Sequence, residues 1–158
     1  VNAPALVIGV GNAYRRDDGA GVMVARGLRA AGLPGVEIIE RSGEGAALLE
    51  SWREADLVIL IDAVRSGAAP GTIHRLEIPG DTLPSGFFHY STHAFSVAEA
   101  VELGRALGLL PASMVVFGIE GAEFGAGEGL SPAVREAVSE VARRITAELA
   151  TAHSLEGA

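Results

Sequence analysis

Two adjacent aspartates, Asp17 and Asp18, stand in the stretch GVGNAYRRDDGAG (residues 9–21), just after an apolar run. A third carboxylate, Asp62, ends the apolar run LVILID, and His93 sits in YSTHAFS. A carboxylate closing so apolar a run is costly unless it is paired or solvated. The carboxyl ends of strands are also where open α/β sheets build their ligand sites. One of the adjacent aspartates can cap a helix, while the other projects into the cleft above the carboxyl edge of the sheet. Two carboxylates and one imidazole at strand–loop junctions form an O,O,N donor set. Such a set suits a borderline divalent ion such as Zn²⁺ or Ni²⁺, with open positions for water or a partner. Of the other histidines, His74 falls in an expected edge strand, His153 in the tail, and His89 beside His93 as a bystander.

Other chemistries find less support. The glycines of residues 9–21 approach the dinucleotide pattern G-x-G-x-x-G through Gly9 and Gly11, but Tyr14 stands at the third position. A helix N-terminus attracts anions, yet two aspartates there would repel a phosphate. Glu40, closing the second strand, could mimic a ribose-binding acid, which leaves a Rossmann-like nucleotide-binding domain as an alternative. The P-loop, H-E-x-x-H and G-x-S-x-G motifs are missing, and so are Asp-Thr-Gly and Asp-Ser-Gly. With no cysteine there is no disulfide, thiolate zinc site or cysteine nucleophile. A net charge of −8 disfavours nucleic acid. No apolar stretch approaches the ~20 residues that span a bilayer, so no membrane partner is expected. The first ten residues lack a basic region typical of signal peptides, and a cytoplasmic location is expected.

The elements that must position these residues follow from hydrophobic periodicity. The 158 residues, 49% hydrophobic and 20% charged, suit a single domain over 1–158 with an ordered core of about 4–150. ALVIGV (5–10), VEIIER (36–41), DLVILIDAV (56–64), TIHRLEI (72–78) and SMVVFGIE (113–120) read as strands, the third being the most apolar and therefore central. Helices are expected over 17–31, with Val22, Ala25, Leu28 and Ala31 at helical spacing, and over 45–54. A third is expected over 94–107, burying Val97, Val101, Leu103 and Leu107. The last is capped by Ser131, has Pro132 at its first position and ends near Ala150. This β-α-β order implies a mostly parallel sheet between helices. The third and fourth strands are joined by about seven residues, too few for a parallel crossover, so the fourth strand is expected to be antiparallel.

In order and spacing, GVGNAYRRDDGAG, RSGEGAALLE, LVILIDAV with PGTIHRLE, STHAFSVAEAVELGRAL and GIEGAEFGAGEGLSPAV resemble the hydrogenase maturation endopeptidases. That family trims the C-terminus of the large subunit of [NiFe] hydrogenases. The resemblance implies a three-layer α/β/α sandwich around a mixed five-stranded sheet. It maps the family's metal-contacting and catalytic residues onto Asp18, Asp62 and His93. The first of these positions can be Glu in relatives and is Asp here, and a proline common after GIE is replaced by Gly121. Asn12, Asp17 and Gly43 complete the set as substrate-binding positions. The partner implied is the hydrogenase large-subunit precursor. The metal implied is nickel supplied by that substrate, with Zn or Cd able to take the place in vitro. A nickel-binding escort without peptidase activity would use the same ligands.

Overall fold

The computed structural model describes residues 5–84 and 96–156. Five strands, β1 (Ala5–Val10), β2 (Val36–Arg41), β3 (Leu57–Val64), β4 (Ile73–Ile78) and β5 (Ser113–Glu120), form one sheet in the order β2-β1-β3-β5-β4. β1 pairs in parallel with β2 and β3, and β3 with β5, while β4 runs antiparallel along β5. The three inner strands are apolar on both faces, and the edge strands are partly exposed. Burial on two faces is what their unbroken apolar runs require.

Helices cover both faces. Leu6, Ile8, Val58, Leu60, Val64, Met114 and Val116 pack against α2 (Gly45–Trp52) and α3 (Val97–Leu107) through Leu48, Trp52, Val97, Ala100 and Val101. Val7, Ile59, Ile61, Val115, Phe117 and Ile119 pack against α1 (Ala20–Ala31) and α4 (Pro132–Glu156) through Val24, Leu28, Val134, Val141 and Ile145. The result is the three-layer arrangement expected. Because strand side chains alternate, Asp62 lies on the α2/α3 face, between Leu60 and Val64.

Four boundary or face expectations need correction. The segment 17–31 does not enter an α-helix at Asp17: Arg16–Gly19 form a 3-10 turn, and α1 starts at Ala20. Ala31 is exposed at the end of α1, which closes on a left-handed Gly32. In α3, Leu103 and Leu107 face outward, the latter 60% exposed. The buried stripe is Val97, Ala100, Val101 and Gly104, an i, i+3, i+4, i+7 pattern. Its phase is set at Ser96, where a capping box with Glu99 starts the helix. Residues 94 and 95, also expected in this helix, lie outside the described residues. Finally, α4 continues to Glu156 rather than ending near Ala150, since no glycine or proline interrupts residues 151–156.

Candidate active site at the carboxyl edge of the sheet

The turn after β1 is shaped by close backbone approach. A Cβ on Gly11, whose φ is +137°, would stand 1.9 Å from the Asp18 carbonyl oxygen. A Cβ on Gly21 would stand 2.2 Å from the Ile61 carbonyl oxygen and 2.6 Å from that of Val10. Glycine at these positions lets the start of α1 rest on the ends of β1 and β3. The glycine-rich stretch therefore seats a helix against the sheet. Within it, the Asn12 side chain accepts a hydrogen bond from the Tyr14 N–H at 2.9 Å, and the Asn12 N–H donates to Asp18 Oδ2 at 3.0 Å. Tyr14, at the position a dinucleotide fingerprint gives to glycine, is 69% exposed.

Asp17 and Asp18 part ways. Asp17 is fully buried and accepts hydrogen bonds from the Ala122 and Glu123 N–H groups and from both the N–H and hydroxyl of Ser131, all at 2.8–2.9 Å. Burial alone would raise its pKa, but these donors hold the carboxyl below its ordinary value. Asp17 thereby ties the β5–α4 loop to the turn before α1. Arg16 N–H donates to the Gly127 carbonyl, and Gly127 N–H to that of Tyr14. Arg16 is the one non-glycine residue with positive φ among the described residues, at +49°. Gly121 fits this dock closely: a Cβ there would meet the Phe124 ring at 2.5 Å and the Asp17 Cβ at 3.0 Å. Neither aspartate caps α1, whose N-cap is Gly19 without a side-chain bond.

Asp18 turns toward the sheet edge. Desolvation raises its pKa, against the opposing pull of the Asn12 N–H and the Arg15 charge. Asp62 is 9% exposed, and its Oδ1 accepts the Ala63 N–H at 2.8 Å. Burial pushes its carboxyl well above the ordinary range, and the charge of Asp18 pushes it further. Two elements distant in sequence thus bring two like charges together at the carboxyl edge. Such a pair can hold a proton between them, hold a cation, or act as a base on water. Two desolvated carboxylates, with Arg15 offsetting Asp18 only in part, offer hard oxygen donors that fit a divalent ion. Gly43, left-handed and buried, lies near Val10 at the end of β2, where a Cβ would stand 3.2 Å from Val10 Cγ1. His93 and His89 lie outside the described residues. Among the described residues no three His, Cys, Asp or Glu side chains gather in a metal-binding group.

Two further carboxylates have partners that sequence reading did not anticipate. Glu40 is held by Arg26 at 3.2 Å and Arg29 at 2.9 Å, so it serves the β2–α1 contact in place of a ribose. Glu120, 1% exposed at the end of β5, accepts from the Ser66 N–H and hydroxyl and contacts His74 Nε2 at 3.1 Å. The pattern that singles out Asp62, a carboxylate closing an apolar strand, marks Glu120 equally.

A sequence profile described as hydrogenase maturation protease matches residues 22–148. The hydrogenase expression/formation protein HupD of Thiocapsa roseopersicina is 30% identical over 139 residues, covering 85% of this chain; the chain spans 62% of that protein's length. The hydrogenase 2 maturation protease of Escherichia coli is 29% identical over 148 residues, covering 91% of this chain and 89% of its own. Among solved structures, the fold is similar to that of the hydrogenase maturating endopeptidase HybD from E. coli. The TM-score is 0.77 at 24% identity, over 94% of this chain and 93% of that one.

Proposed function

This chain belongs to the hydrogenase maturation protease family, and on that premise we propose that it removes a C-terminal peptide from the nickel-loaded large-subunit precursor of a [NiFe] hydrogenase. Members of the family are peptidases, hydrolases of peptide bonds. The observation that carries the proposal is the pairing of Asp18 and Asp62 at the carboxyl edge, both with raised pKa.

In this reading nickel is part of the substrate. Asp18, Asp62 and His93 are the residues that would hold it, with Zn or Cd able to replace it in vitro. The positive charge it brings offsets the pair beyond what Arg15 supplies to Asp18, so a loaded precursor docks where an empty one is met by excess negative charge. This makes the pair a checkpoint for loading. For hydrolysis, one carboxylate takes a proton from water as the oxygen bonds to the scissile carbonyl carbon. The same proton passes to the departing amine as the C–N bond breaks. Raised basicity suits a carboxylate to that role. Asn12 shapes the turn that carries Asp18, and Gly43 borders the same edge as a substrate-binding position. Asp17 holds the adjoining loop. No helix among the described residues is long and apolar enough to cross a membrane.

The test is cleavage of the cognate precursor, loaded and unloaded, by wild type and Asp62→Asn. Cleavage of only the loaded form by wild type, lost in the variant, is expected. Nickel binding by the chain with cleavage of neither form would favour the non-enzymatic escort.

A further inference from the structure

Asp62 of β3, Gly118 of β5 and His74 of β4 are register partners in one row across the sheet. Neighbouring strands lie about 4.8 Å apart, so the backbones of Asp62 and His74 are separated by about 10 Å. Gly118 between them contributes no side chain. All three, with Glu120 two residues further along β5, belong to the face that carries Leu60, Val64 and Val116. The Asp62 carboxylate and the His74 imidazole therefore stand on the same side of the sheet, near the same edge, one strand apart.

His74 is held there by a buried charge. Its Nε2 lies 3.1 Å from Glu120 Oε1, and its side chain remains 25% exposed while that of Glu120 is 1% exposed. The same carboxylate binds both donors of Ser66 in the β3–β4 connection. The Gly71 N–H donates to the Glu120 carbonyl, and the Glu120 N–H to that of Thr72. A carboxylate so buried is stable only with its donors in place. A carboxylate that fixes one ring nitrogen of a partly exposed histidine sets the ring's tautomer and direction, as in sites where histidine meets a ligand.

We infer that His74 is a substrate-contacting residue of the peptidase site and that Glu120 is its positioning residue. The imidazole hydrogen-bonds the precursor's peptide segment on the β4 side, while Asp62 engages it on the β3 side. This rests on the peptidase reading above. Ser66 holds the connection through Glu120 and does not touch substrate.

The experiment is steady-state cleavage of the nickel-loaded precursor by wild type, His74→Ala, Glu120→Gln, the double variant and Ser66→Ala, with thermal unfolding of each. Loss of one hydrogen bond to substrate corresponds to roughly a tenfold fall in kcat/KM. His74→Ala and Glu120→Gln are each expected to show it, mainly in KM. The double variant should lose no more than either single one, since both remove the same contact. Ser66→Ala removes one of the donors to Glu120 while leaving the Ser66 N–H and His74 on it, so its loss should be smaller than that of Glu120→Gln and also appear in KM. Wild-type kcat/KM in His74→Ala, or losses that multiply in the double variant, would overturn the inference. Should Glu120→Gln fail to fold, His74→Ala at a partly exposed edge position decides the matter. No cleavage by wild type would instead refute the peptidase reading itself.

Discussion

Asp17 and Asp18 are chain neighbours with opposite electrostatic settings. The first accepts four hydrogen bonds from Ala122, Glu123 and Ser131 and has a lowered pKa. The second accepts the Asn12 N–H, has a raised one and by its charge pushes up that of Asp62. The 3-10 turn over Arg16–Gly19 makes this division possible. It sends one carboxylate into the β5–α4 loop and the other to the sheet edge.

Asp17→Asn should destabilise the fold by about 3 kcal/mol. An amide keeps one acceptor oxygen but turns its NH₂ against donors, and bonds to a charged acceptor are worth roughly 1.5–3 kcal/mol each. The folded pKa of Asp17 lies below its ordinary 3.8. Its contribution is therefore fully present above pH 3.8 and fades as pH falls through the folded value. Urea unfolding of both proteins between pH 2 and 7 checks this; a difference that persists unchanged at pH 2 would contradict it.

Asp62→Asn should have the reverse effect on stability while abolishing cleavage. The folded pKa of Asp62 is raised above 3.8, so the folded state binds the extra proton. Its charging penalty is absent below pH 3.8, grows as pH rises toward the folded value and is constant beyond it. In metal-free protein at pH 7 the variant should be more stable, by something on the order of 1–3 kcal/mol, the cost of desolvating a buried polar group. Asparagine still accepts the Ala63 N–H. Equal stability of the two proteins across pH 3–8 would count against a buried, uncompensated charge.

Two glycines of one helix should respond oppositely to alanine. At Gly21 the added Cβ meets two strand carbonyl oxygens at 2.2 and 2.6 Å, so overpacking should cost about 1–3 kcal/mol and weaken cleavage by shifting α1 off the sheet. At Gly27 nothing lies within 4 Å, and alanine should add about 0.5–1 kcal/mol through helix propensity. Chemical unfolding at constant pH reads both signs.

A nucleotide site is not expected at the turn after β1. Titration with NAD, ATP and GTP should give no saturable binding, since Glu40 is engaged by Arg26 and Arg29 and Asp18 occupies the edge with negative charge. Micromolar affinity competed by mutation of Glu40 would reopen the Rossmann alternative.

Much was legible in the residues themselves. Continuous apolar runs specified β1, β3 and β5 because a strand buried on both faces has no room for alternation. The short connection before Ile73 required β4 to turn back, since no parallel crossover fits in it. Asp62 could be singled out because a charge ending an apolar strand needs a reason. The family resemblance supplied the order of motifs that spacing alone left open. What only the tertiary structure decided was direction. Sequence could not say which of Asp17 and Asp18 faced inward, because the answer lies in a loop more than a hundred residues away. Nor could periodicity set the phase of α3, which the capping box at Ser96 and packing over Gly104 determine. The bond between Glu120 and His74 joins antiparallel strands across 46 residues. Such contacts depend on register, and register is fixed only when the whole sheet is assembled around its two cores.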